Sequence, residues 1–168
     1  ATFTKERFAT RYEELANVLG NLASRTISMI AKYRSGNLSK TVQTDLNDEV
    51  AATIDRFQEH MNDLQVHAAL DLAMDLARRA NVYIDKKEPW ALAKESERRD
   101  SLETVLTTLL RILTVLTALL FPVMPGKMSE LALRLGLSEV PKLRDWELAF
   151  TQRSMVKEGG PLFPKDVL

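Results

Sequence analysis

The 168-residue chain contains no cysteine and only two histidines. That excludes disulfides, thiolate nucleophiles and the usual zinc sites together, and makes the reducing cytosol the expected setting. Net charge is also missing, because 23 basic residues cancel 23 acidic ones. With no overall positive field to gather nucleic acid, histone-like or general DNA binding is excluded as a class. Six glycines and six prolines leave long stretches unbroken, and no run alternates in the manner of a strand. No N-terminal segment joins basic residues, an apolar run and small residues at a cleavage site, so a secretory leader is not expected. The sequence opens at Ala1 rather than Met and is read as a piece of a longer protein.

What is there is apolar and helical. At 45% hydrophobic content the chain can bury one core. It is expected to be all-α: an antiparallel bundle of five or six helices with an extended C-terminal strap. The whole of 1–168 then forms one domain, with the bundle in 1–136 and the extension in 137–168. Charge is uneven along it, with seven Lys/Arg against three Asp/Glu in 1–40, one against eight in 41–76, and fifteen against twelve in 77–168. A polyanion would approach the first helix or the second half.

In a first helix over 4–33, Phe8, Tyr12, Leu15, Leu19, Leu22 and Ile30 recur at helical spacing, and Gly36 lies just beyond as a stop. Asp45 and Asp48 resemble a capping box for a second helix whose inner edge is Val50, Ile54, Phe57 and Met61. A third over 64–85 points Val66, Ala69, Leu70, Ala73, Leu76, Ala77, Ala80 and Ile84 inward. Pro89 suits the first position of a short fourth helix, from which Trp90 would project. Asp100 and Glu103 read as the capping box of a fifth, which Pro122 and Pro125 close before a sixth over 127–135 ending at Gly136. The span 104–124 is long enough to cross a bilayer. Arg111 near its centre and the threonines at 107, 108, 114 and 117 fit a central helix wrapped by others better.

Catalytic patterns are missing. His60 and His67 stand seven apart without a Glu-x-x-His motif, and no phosphate loop, nucleophile elbow or Ser/His/Asp set can be assembled. No catalytic residue, cofactor site or metal site is expected in this chain.

One pattern points to RNA. Asn17, Asn21, Ser24, Arg25 and Ser28 share the face of the first helix opposite its apolar stripe. Amides and guanidinium groups present paired donors and acceptors in fixed geometry, which suits base edges and phosphates. Trp90 could offer an indole platform to an unstacked base. Each feature has a plainer alternative: a polar surface or interhelical seam for the helix face, and a core or hinge position for Trp90.

Ordered blocks add a resemblance. Arg11-Tyr12 with Glu14-Leu15-Ala16-Asn17 and Gly20-Asn21-Leu22-Ala23-Ser24-Arg25 opens the series. Ala80-Asn81-Val82-Tyr83-Ile84-Asp85, Glu88-Pro89-Trp90-Ala91-Leu92-Ala93-Lys94, Phe121-Pro122-Val123-Met124-Pro125 and Gly160-Pro161-Leu162-Phe163-Pro164 follow. Together they resemble the anticodon-binding domain of the methionyl-tRNA synthetase family over nearly the whole chain, with 38–62 the least diagnostic stretch. The resemblance implies that Asn21, Arg25 and Trp90 contact the anticodon, with Asn17 and Tyr83 in support. It implies the tRNA(Met) anticodon loop and a catalytic domain of the same polypeptide as partners, with ATP and methionine used by that domain, and neither DNA nor a membrane. The family's His-Ile-Gly-His and Lys-Met-Ser-Lys-Ser signatures are not in the sequence; Lys127-Met128-Ser129-Glu130 imitates only the start of the second. The rival reading is a helical protein-docking module.

Overall fold

The computed structural model describes residues 5–164. Thr4 and the Phe8 side chain, assigned above to the first helix and its stripe, lie outside the described residues, as does 165–168 of the tail. The described residues form an all-helical bundle: α1 (Lys5–Leu15), a π-helical turn (Ala16–Gly20), α2 (Asn21–Arg34), α3 (Asn47–Asn62), α4 (Val66–Lys87), α5 (Pro89–Leu92), α6 (Arg99–Leu120), α7 (Pro125–Arg134) and α8 (Trp146–Thr151). The first three elements run on without a break, since the residues at both joins keep right-handed helical backbone angles.

The core is organised around α6. Its leucines at 106, 109, 110, 113, 116 and 120 are fully buried, and the helical run Ser96–Leu120, though long and apolar enough for a bilayer, has 83% of its most apolar stretch inside the bundle. Two buried hydroxyls there are satisfied locally, as Thr114 donates to the Leu110 carbonyl at 2.9 Å and Thr117 to that of Thr114 at 2.7 Å, whereas that of Thr107 has no partner among the described residues. Arg111 is half-buried over the Trp146 ring, 4.5 Å from its centroid, and donates to Asn47 at 2.9 Å. Burial lowers its pKa, opposed by the Glu147 carboxylate. On α4, Ala69, Ala73, Ala77 and Ala80 are fully buried, and their small side chains let α3 and α6 approach closely.

Several local expectations fail for identifiable reasons. Leu46, with φ of 62°, is the residue before α3, and neither Asp45 nor Asp48 caps it; Asp45 instead accepts the Tyr83 hydroxyl at 2.6 Å. The second capping box is absent too, because Arg98 precedes α6 without a side-chain cap. Glu103 turns inward to meet the Arg34 guanidinium at 2.7 Å and the Ser39 N–H at 2.9 Å. Each carboxylate is drawn from the helix end by a donor inside the fold, the neutral Tyr83 hydroxyl for Asp45 and the Arg34 guanidinium for Glu103. Leu64, with φ of 60°, stands outside α4 and is exposed, and Val66 at the first position of α4 is 39% exposed rather than inward.

The C-terminal segment returns across the bundle, and it is not extended throughout: Leu143–Asp145 forms a 3-10 turn leading into α8, whose Trp146 is buried. Beyond α8 it is a strap fixed by backbone bonds from Ser154 N–H to the Gly136 carbonyl (2.7 Å) and from Val156 N–H to that of Gly36 (2.9 Å). The two glycines that stop helices thus also receive the strap. Both have φ of 85°, and a Cβ on Gly136 would stand 2.2 Å from the Ser154 carbonyl oxygen. At its end the Tyr12 hydroxyl donates to the Pro164 carbonyl at 2.7 Å, and Phe163 meets the Tyr12 ring edge-on.

Candidate nucleic-acid interface

The helix that carries Asn21 and Arg25 departs from regular α geometry just before them. A π turn loosens the usual hydrogen-bond ladder, leaving carbonyls available to outside donors, and such turns concentrate at functional positions. Here the Val18 carbonyl accepts the side-chain amide of Asn81 on α4 at 3.1 Å as well as the Asn21 backbone N–H. Asn81 Oδ1 is buried and without a hydrogen-bond partner among the described residues. The amide therefore ties α4 to the turn that sets where α2 begins.

α2 and α4 run in the same direction. Glu14 pairs with Arg78, Val18 with Asn81, and Arg25 with Asp85, so contacts advance along both helices together. The Arg25 Nη2 to Asp85 Oδ1 distance is 2.7 Å, with the Arg25 side chain 27% and that of Asp85 67% exposed. A wet pair of this kind adds no more than about 1 kcal/mol to stability. It sets a cationic donor beside an acceptor, and most of the guanidinium's donors stay open to a ligand.

Trp90 follows closely. α4 ends because Glu88 adopts a left-handed conformation (φ 49°), and Pro89, buried at the first position of α5, restarts the chain in a new direction. α5 is anchored by Leu92 against the core, while Trp90 is 41% exposed. Lys86 and Lys94 are exposed on either side, and Lys87 stands 5.8 Å over the Tyr83 ring. Burial, and next the hydrogen bond to Asp45, push the Tyr83 hydroxyl above its ordinary value. It remains a neutral donor that fixes the last turns of α4 to the 35–46 loop.

The polar face read from the first helix divides into two. Asn17, Asn21, Ser24 and Ser28 line a groove of about 850 Å³ opposite the strap residues Glu158–Pro164, whereas Arg25 turns toward α4. Trp90 lies five residues past Asp85, at the α4 end of the arrangement. Asn81 and Asp85, which hold this geometry, were not singled out by periodicity. Both fall in the Ala80-Asn81-Val82-Tyr83-Ile84-Asp85 block that carries the resemblance, and Asn81 interrupts the edge of an alanine-rich apolar stripe. Among the described residues no cluster of three His, Asp or Glu groups is placed to hold a metal ion, and His60 Nδ1 lies 2.7 Å from Gln65 Oε1. Lys127 and Glu130 face each other at 3.6 Å across the first two turns of α7.

Comparison with known proteins gives this geometry a family. Residues 34–165 match the family model described as the anticodon binding domain of methionyl tRNA ligase. That match contains Trp90 but begins after Asn21 and Arg25. Methionine–tRNA ligases of Enterococcus faecalis and Listeria innocua are 39% and 36% identical to the chain, each over 97% of it and 26% of the relative. The chain thus spans about a quarter of the length of these relatives. Among solved structures, Mycobacterium tuberculosis methionyl-tRNA synthetase in complex with methionyl-adenylate superposes with a TM-score of 0.77 at 26% identity, over 97% of this chain and 34% of the other. The chain belongs to the family of methionyl-tRNA ligase anticodon-binding domains.

Proposed function

We propose that the chain recognises the CAU anticodon loop of tRNA(Met), and that it does so for a catalytic domain of the same cytosolic polypeptide that uses ATP and methionine to charge that tRNA. Residues 1–168 act as one recognition domain, the bundle in 1–136 presenting the site and 137–168 bracing it. Trp90 stacks an unstacked anticodon base, while Asn21 and Arg25 hydrogen-bond base edges, the mode by which proteins commonly read single-stranded loops. The observation that carries this reading is the linkage of the two elements: Arg25 on α2 bonds Asp85, and α4 then hands the chain through Glu88 and Pro89 to an exposed Trp90. Zero net charge fits a site that selects by base contacts rather than by general attraction to phosphate.

In the enzyme the contacts select among tRNAs, so their energy is expressed in kcat/KM for tRNA rather than in amino-acid activation. Charging assays on the full-length polypeptide test this. Trp90→Ala should lower kcat/KM for tRNA(Met) by about tenfold or more while methionine- and ATP-dependent adenylate formation stays unchanged. Equal losses in both steps, or in neither, would count against the reading.

A further inference from the structure

The groove between α2 and the strap has features that the Arg25–Trp90 end does not explain. Its α2 wall presents two amides and two hydroxyls, from Asn17, Asn21, Ser24 and Ser28, all exposed. Among the described residues none of these side chains has a hydrogen-bond or ionic partner. Ser24 and Ser28 differ here from Thr53, Thr108 and Thr114, whose hydroxyls donate to the carbonyl four residues back. The floor is small and apolar: Gly20 lies so near the strap that a Cβ there would stand 3.4 Å from the Phe163 ring. Among the described lining residues charge is scarce, since Arg134 is engaged by Glu130 and the Gly160 carbonyl and Glu158 is the other ionisable group. A slot with an apolar floor, neutral donor–acceptor walls and no free cation among the described residues does not suit a phosphate or an acidic peptide. It suits the flat face and hydrogen-bonding edge of a nucleobase, since an Asn amide supplies a donor and an acceptor side by side.

We propose that this groove is a second nucleotide subsite, taking another unpaired base of the same anticodon loop, with Asn17, Ser24 and Ser28 bonding its edge and Asn21 shared with the Arg25–Trp90 end. The inference rests on the anticodon-binding reading above. Continuity supports it, because Asn21 lines the groove and stands one helical turn before Arg25. The strap gains a role as the opposite wall, and at Gly160, which lines the groove, there is room for a side chain: no described atom lies within 4 Å of where its Cβ would be.

The test is ¹⁵N NMR titration of this chain with a CAU anticodon stem-loop, using wild type, Asn17→Ala and Gly160→Phe. Gly160→Phe fills the groove with no backbone strain and should leave the melting temperature unchanged. In wild type the Asn17 side-chain amide and the Ser24 and Ser28 backbone amides should shift together with the Trp90 indole N–H. Gly160→Phe should weaken binding about tenfold and abolish the Asn17 shift while the Trp90 indole still moves; Asn17→Ala, on an exposed side chain, should weaken binding about fivefold. Shifts confined to Arg25 and Trp90, with both variants binding as wild type, would overturn the subsite and leave the anticodon reading standing. No shift at any of these groups would overturn both.

Discussion

Asn81 of α4 donates its side-chain amide to the Val18 carbonyl, 3.1 Å away in the middle of the π turn that precedes Asn21. The Val18 carbonyl already accepts the Asn21 backbone N–H, so this bond uses its second lone pair and fixes the start of α2 against α4. Asn81→Leu should therefore cost about 1 kcal/mol in chemical denaturation through the lost interhelical bond and weaken stem-loop binding as Asn21 loses its support. Unchanged stability together with unchanged binding would show that the turn holds itself.

Gly136 is the second such joint. Its φ of 85° and the Ser154 carbonyl oxygen 2.2 Å from a would-be Cβ leave no room for a side chain. Gly136→Ala should destabilise the fold by about 3 kcal/mol or more, combining backbone strain with displacement of the strap. Gly126, where a Cβ would meet nothing within 4 Å, is the control and should accept Ala with little change.

Glu103 is the buried anion that gathers the 35–46 loop. It pairs with Arg34 at 2.7 Å and accepts the Ser39 N–H, while Arg153, itself 5% exposed, donates to the Leu38 and Ser39 carbonyls. Removing the charge leaves Arg34 without its partner. Glu103→Gln should cost about 2 kcal/mol by denaturant midpoint, with helix content by circular dichroism retained.

Tyr83 gives stability an alkaline limit. Its folded pKa lies above the unfolded value because burial, and next the Asp45 bond, favour the protonated hydroxyl. A raised folded value means the stabilisation is complete below the unfolded pKa of about 10 and is lost as pH climbs beyond it. Denaturant midpoints measured from about pH 8 to about pH 11 should fall more steeply for wild type than for Tyr83→Phe. Parallel curves would contradict the assignment.

These joints mark where the fold could be read from the chain and where it could not. The alanine stripe of α4, the apolar run of α6, the restart at Pro89 and the stops at Gly36 and Gly136 depend on local periodicity or backbone permissiveness, and the sequence displays them directly. The capping boxes misled because Asp45 and Glu103 have stronger partners far along the chain, in Tyr83 and Arg34. α8 spans only six residues, too short to show a period, and the π turn hides within spacings that still look helical. At the candidate site, Asn21, Arg25 and Trp90 were each legible as residues. Their division between a groove beside the strap and an ion pair with Asp85 was not, because it depends on which helix each side chain meets.

The central claim is that the exposed Trp90 and the α2 side chains read an anticodon. Binding of this chain to a CAU anticodon stem-loop, and to the same stem-loop with its first anticodon base changed, tests it most directly, with Trp90→Ala and Arg25→Ala as variants. The account predicts preference for CAU, a loss of about tenfold or more with Trp90→Ala, and a comparable loss with Arg25→Ala despite a stability change within about 1 kcal/mol. Equal binding to both loops, no binding, or CAU preference that survives both substitutions would contradict it.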